Sequence, residues 1–206
     1  MRIPLLLALV PLALSACTAD PVWAPDAAVE AAVYRDDSPP SITLFTMINN
    51  RSNEGGHSGL MINGDQRVMF DPAGSWWHRT APERNDVHYG MTPLMLKFYI
   101  DYHARETYRV VSQTVEVPPE VATQALQLAE ARGAVPKAMC GSATSGILKQ
   151  LPGFESVSQS LFPARIMESF GQLPGVETAV YYDDDADDNT AVLMTQQHGA
   201  PAQPSR

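Results

Sequence analysis

Cysteine is nearly absent: the 206-residue chain has two, Cys17 and Cys140. That scarcity excludes a disulfide-stapled scaffold and any thiolate metal cage, and no CxxC or HExxH pattern occurs. Basic residues are also scarce, 14 Lys and Arg against 23 Asp and Glu, for a net charge of −9. Such a balance argues against nucleic acid or a polyanionic surface as the main partner. Beyond the N-terminus no long apolar run exists, so a spanning helix is not expected. No internal repeat is present.

What is present begins with an export signal over residues 1–16. Arg2 supplies the positive start, and residues 3–14 are almost wholly apolar but too short to span a bilayer comfortably. The run ends in Leu14-Ser15-Ala16-Cys17, which resembles a bacterial lipobox. That resemblance implies cleavage before Cys17, acylation of its thiol, and a membrane anchor made of lipid. An ordinary signal peptide with a chance cysteine is the alternative. Thr18 follows instead of the Asp that resembles an inner-membrane retention signal, so the periplasmic face of the outer membrane is the expected site. Removing Arg2 takes the net charge from −9 to −10. If Cys17 carries lipid, Cys140 has no intrachain partner. A lone thiol in an oxidising compartment is buried and inert, paired between chains, or kept for chemistry.

Residues 17–40, rich in Ala, Pro and Asp, read as a tether with a short helix at 26–33. Residues 41–195 read as one domain and 196–206 as a disordered tail. Within the domain, 41–48 (SITLFTMI) is β-branched and apolar, hence a strand. Residues 57–62 and 67–71 form a hairpin around Asn63-Gly64-Asp65-Gln66. A loop with Trp76, Trp77 and His78 spans 72–85. It could line a groove, touch a membrane interface, or pack on the domain itself. A helix is expected at 92–104, with Thr92 as N-cap and Leu94, Phe98 and Ile100 or Tyr102 on one face. A strand at 107–117, helices at 119–131, 140–151 and 162–170, and strands at 176–182 and 190–194 complete an α+β domain.

The hairpin pattern brings the first chemistry. A three-residue loop with Leu60 opposite Val68 groups Leu60, Ile62, Val68 and Phe70 on one face. The other face carries His57, Gly59 and Met61 with Asp71, Met69 and Arg67, and makes His57 and Asp71 a cross-strand pair. A carboxylate beside an imidazole fixes its tautomer and stabilises the imidazolium. Cys140 opens a helix of small residues, where free N–H groups favour a thiolate and can hold an oxyanion.

A Gly-His-Ser-Gly-Leu strand, a following strand ending in Asp71, and a later cysteine opening a helix resemble the circularly permuted papain-like fold. That group includes permuted relatives of the NlpC-type cell-wall hydrolases and, more distantly, lecithin retinol acyltransferase. The resemblance covers residues 41–151 and implies a small antiparallel sheet packed on helices. It implies Cys140 as nucleophile, His57 as base and Asp71 as the orienting residue, with no cofactor and no metal. Pro136-Lys137-Ala138-Met139 departs from the family, which often has Asn or Asp beside the cysteine. Implied substrates are peptidoglycan peptide, another peptide, or a lipid ester. A non-catalytic lipoprotein that keeps the fold as a binding or scaffolding module is the rival. His78, His88 and His103 lack metal spacing. The acidic run 183–189 lacks the glycine and closing glutamate of a calcium loop.

Overall fold

The structure, a computed structural model, describes residue 19 and residues 21–195. The signal segment, Cys17 and the tail from 196 lie outside the described residues. Among the described residues, seven strands and six helices follow the order α1 (Asp26–Ala32), β1 (Ser41–Asn49), β2 (Gly55–Asn63), β3 (Arg67–Phe70), β4 (Glu83–Arg84), β5 (Val87–Tyr89), α2 (Pro93–His103), β6 (Tyr108–Glu116), α3 (Pro119–Arg132), α4 (Cys140–Leu148), α5 (Pro163–Phe170), β7 (Glu177–Tyr181) and α6 (Thr190–Thr195). The strands make one open antiparallel sheet in the order β4-β5-β3-β2-β1-β6-β7. The class is α+β as expected, and the sheet is larger than expected. No described helix is long and apolar enough to cross a membrane.

Strand β1 is central, and eight of its nine residues are buried, because both its neighbours and both its faces are covered. One face of the sheet carries Leu44, Leu60, Ile62, Val68 and Phe70 against α3, α4 and α5. The other carries Phe45, Met61 and Met69 against α2 and Trp76. The two faces have the expected parity, but the β2–β3 register is moved by two. Leu60 pairs with Phe70, Ile62 with Val68, and Asn63 with Arg67. The turn is therefore Gly64-Asp65-Gln66. Asn63 stays in the strand because its amide donates to the carbonyls of Ser38 and Pro39 at 3.3 and 3.1 Å. A shift of two preserves the faces, which a shift of one would exchange.

Other departures have local causes. The expected loop 72–85 contains β4, and β5 follows across Asn85-Asp86, both at positive φ (46° and 69°) as a two-residue type I′ turn demands. Of the three roles open to the Trp76 loop, Trp76 takes the one of packing on the domain, buried against His88 and Tyr99. Residues 190–194 are helical and not a strand: Asp188 accepts the Thr190 N–H at 3.1 Å and Val192 N–H bonds Asn189 O, an N-terminal cap that starts a helix. In α2 the buried residues are Met95, Tyr99 and Tyr102, while Leu94 is exposed, so the apolar face sits one position on from the expected one. Thr92 does cap it, accepting Met95 N–H at 3.2 Å. Helix α4 ends at Leu148, short of Pro152.

The segment before β1 is docked on the domain. Ala24 N–H bonds Glu83 O, Asn85 N–H bonds Val22 O, and Arg67 bonds Asp36 at 2.6 Å. Val29 and Ala32 of α1 pack on the core.

Helix α4 owes its seat to missing side chains. A Cβ on Gly141 would stand 2.6 Å from the Leu161 carbonyl oxygen, whereas one on Gly146 would meet nothing within 4 Å. Gly146→Ala is therefore expected to stabilise the chain by up to about 1 kcal/mol in urea unfolding. Gly141→Ala is expected to destabilise it by about 1–3 kcal/mol, because the obstacle is backbone.

Candidate active site

His57 lies near the start of β2, beside a bulge. Met47 pairs with His57 but Ile48 pairs with Gly55, leaving Gly56 unopposed. Bulges re-aim the neighbouring side chain. His57 Nε2 and Asp71 Oδ1 are 2.7 Å apart, so the pair expected from the hairpin forms. It forms diagonally, since the observed register carries Asp71 past Phe70 to a position opposite Gly59. Gly59 makes that possible: a Cβ there would stand 2.8 Å from the Tyr99 hydroxyl and 3.4 Å from Asp71 Oδ1. At Gly74 a Cβ would fall inside the Asp71 carboxylate. Tyr99 donates to Asp71 Oδ1 at 2.7 Å. Asp71 is thus enclosed by two glycines, a histidine and a tyrosine.

Cys140 comes from the other layer of the fold. Helix α4 packs against β2, and Ser58 and Thr144 tie them together: Ser58 donates to Thr144 Oγ1 at 3.3 Å, and Thr144 donates to Ser58 O at 3.4 Å. Thr144 is one turn along from Cys140, so this tie fixes the sulfur beside His57. The His57 ring and the Cys140 thiol lie near enough that each favours the other's charged form, and backbone groups of Ser58 and Gly141 act on the sulfur in the same sense. With Nε2 on Asp71, Nδ1 is the ring nitrogen left for the thiol. Cys140 is free and only 7 % exposed; the His57 side chain is 17 % exposed. Ala138 and Ala73, both non-glycine residues at positive φ (65° and 57°), flank the cysteine and the aspartate. Backbone strain of this kind concentrates where surrounding structure must hold reactive groups in place.

The electrostatics favour charge separation. Burial works to depress His57, but the Asp71 carboxylate, and then Cys140, outweigh it and push it up to about 10. Burial works to raise the Cys140 thiol, yet the His57 bond and charge, with the backbone bonds, hold it below its ordinary value. Asp71 is held far below the carboxylate range, against the pull of its burial, chiefly by His57. The array therefore favours a thiolate beside an imidazolium, backed by a carboxylate.

A cavity of about 390 Å³ opens on the His57 side, lined among others by Gly74, Ser75, Tyr102, His103 and Arg105. Two groups of described residues have the spacing to hold a metal ion. One is His57, Asp71 and His103, but His57 and Tyr99 already occupy Asp71 Oδ1. The other is Asp101, Asp183 and Asp185, which Arg105 already bridges, 3.0 Å from Asp185 and 3.7 Å from Asp101.

Three of the residues singled out in the sequence, His57, Asp71 and Cys140, thus come together; Cys17 lies outside the described residues. Tyr99, His103, Gly59 and Gly74 were not singled out as partners of that array. Tyr99 and His103 share one face of α2 at i, i+4, a spacing that the misplaced apolar face concealed. No family model matches the chain, and no curated protein or solved structure matches it either.

Proposed function

We propose that the chain is a cysteine-dependent hydrolase or acyltransferase with a circularly permuted papain-like domain, held at the bacterial cell envelope by lipid on Cys17. The observation that carries this reading is the Cys140–His57–Asp71 array, with histidine ahead of cysteine in the chain. The Cys140 thiolate attacks an amide or ester carbonyl. The proton held on His57 passes to the departing amine or alcohol, and a thioester on Cys140 remains. Water or another acceptor then attacks that thioester, gives its proton to His57, and frees the sulfur. Asp71 keeps the ring aligned through both steps. First-turn N–H groups of α4, which have no partner within the helix, face the developing oxyanion. Substrates of this class are peptidoglycan peptides, other peptides, and lipid esters.

The rival reading, a non-catalytic envelope module, draws support from the low exposure of Cys140. Alkylation against pH separates the two. The hydrolase reading expects folded protein to react with an inflection well below the roughly 8.5 of free cysteine. A thiol that reacts only after unfolding is packing, and the module reading then stands. For the anchor, Cys17→Ala is expected to abolish incorporation of labelled fatty acid in a bacterial host. Label retained by the variant would overturn the lipobox assignment.

A further inference from the structure

We propose that the sheet edge covered by residues 22–24 seats on the bilayer that holds the chain, with Val22 and Trp23 in the headgroup layer. The proposal rests on the lipid reading of Cys17 and adds to it the face of the domain that the lipid draws down.

The segment between lipid and domain is a strap and not a free tether. It runs antiparallel along the free side of β4. Ala24 N–H bonds Glu83 O and Asn85 N–H bonds Val22 O, both at 2.9 Å, and Trp23 bridges to Arg84. Arg84 Nε donates to Ala24 O at 2.9 Å. Its guanidinium pairs with Asp26 and lies 4.7 Å from the centre of the Trp23 ring. Further along, Arg67 N–H bonds Tyr34 O at 2.8 Å, and the Arg67 side chain holds Asp36. The strap therefore fixes which edge of the sheet lies nearest the lipid.

Chain length sets the distance. Six peptide units join Cys17 to Trp23. Fully extended, they cover at most about 22 Å. A strap free as far as Ser41 would let the domain stand off by up to about 86 Å. Within the short reach the chain presents Val22, 42 % exposed, and Trp23, 67 % exposed although it stacks on Arg84. An indole, with its apolar body and polar N–H, favours the headgroup layer. The acyl chains supply the affinity, and the two side chains supply the orientation. The other edge, β7, is exposed as well, but it lies six strand spacings away, about 29 Å. The register carries the distance on to the array. Trp23 stands opposite Arg84, Arg84 opposite Val87, and Val87 opposite Phe70. Three strand spacings, about 14 Å, separate Trp23 from Phe70, and Asp71 is the next residue. The Cys140–His57–Asp71 array is thereby held within about 40 Å of the acylated sulfur, at the membrane surface.

The test uses the full acylated chain, made in a bacterial host and reconstituted in vesicles of phosphatidylethanolamine and phosphatidylglycerol. The unacylated Cys17→Ala chain mixed with the same vesicles is the reference. Amides of residues 83–88 are expected to exchange hydrogen roughly tenfold more slowly in the acylated chain. Amides of 177–181 are expected to exchange alike in both. In a Trp77→Phe background, with Trp76 buried, Trp23 reports its own surroundings. Vesicles with brominated acyl chains should quench its emission by roughly half. The double variant Val22→Ser/Trp23→Ser should keep its fatty-acid label and its circular dichroism, and lose the protection at 83–88. Equal exchange at 83–88 in the labelled and reference chains overturns the seating alone, as does unquenched Trp23. Slowing at both edges, or protection that survives in the double variant, overturns it too, because the contact is then not made by this edge. A chain that carries no fatty acid on Cys17 overturns the lipid reading, and this proposal with it.

Discussion

His57→Ala is expected to turn Cys140 into an ordinary buried thiol and to lower turnover of an activated ester by roughly 10²–10⁴-fold. Burial alone raises the thiol, and the first influences opposing it are the His57 hydrogen bond and charge. Without the ring, only the backbone bonds of Ser58 and Gly141 remain. The alkylation inflection should therefore move up by on the order of one unit or more. Asp71→Asn tests the next link. An asparagine oxygen can still accept from His57 Nε2, so the ring stays aligned, but the carboxylate charge that does most to raise His57 is gone. The alkaline limit of the thiolate–imidazolium state, set by His57 at about 10, should fall toward neutrality. The thiol inflection should move less than in His57→Ala. Stopped-flow alkylation from pH 4 to 11 measures both limits. An inflection in His57→Ala that matches wild type would falsify the ion-pair reading.

How far the sequence reached depended on whether the information was local. Alternation of apolar residues in 57–62 and 67–71 is local, and it sorted the two faces of the sheet correctly. The register was not local: Asn63 belongs to β3's partner strand because residues 38 and 39 hold its amide. No pattern within the hairpin reveals that. Asp71 still reached His57 because an error of two residues leaves it on the same face, and Gly59 leaves the diagonal open. The β4–β5 turn was legible in principle, since Asn85-Asp86 are residues that tolerate positive φ. Residues 190–194 are β-branched and apolar in part, and read as a strand. The Asp188 carboxylate, which accepts the Thr190 N–H just ahead of the segment, caps it as a helix. The proximity of Cys140 to His57 joins residues 83 positions apart across two layers. It depended on the Ser58–Thr144 tie and on the room at Gly141, neither of which has a sequence signature.

Folding stability is expected to fall steeply as pH drops from about 6.5 toward 4, before the active-site carboxylate is protonated. His88 is buried beside Trp76, and His103 lies against Tyr99 and His57. Burial carries each from 6.5 down to about 4. In that window the unfolded chain binds these protons and the folded chain does not, so acid favours unfolding. Fully realised, the cost is about 3 kcal/mol for each ring, a large share of an ordinary domain's stability. Asp71, held well below its ordinary 3.8, adds its loss only below that value. Glu83 and Asp86, raised chiefly by burial, take up protons more readily in the folded chain and offset part of the lower limb. His57 has the opposite sign to the two neutral rings. Its pKa is raised, so its contribution is complete below 6.5 and is lost as pH climbs toward about 10. Stability should therefore peak near neutrality, with the acid limb carried by His88 and His103 and the alkaline limb by His57. Urea unfolding at half-unit steps from pH 4 to 10 measures the curve. His88→Leu should remove about one proton's worth of slope between pH 6.5 and 4 and leave the alkaline limb in place. A wild-type curve flat across the acid window would mean that both rings are protonated within the fold, and burial would not be what sets them.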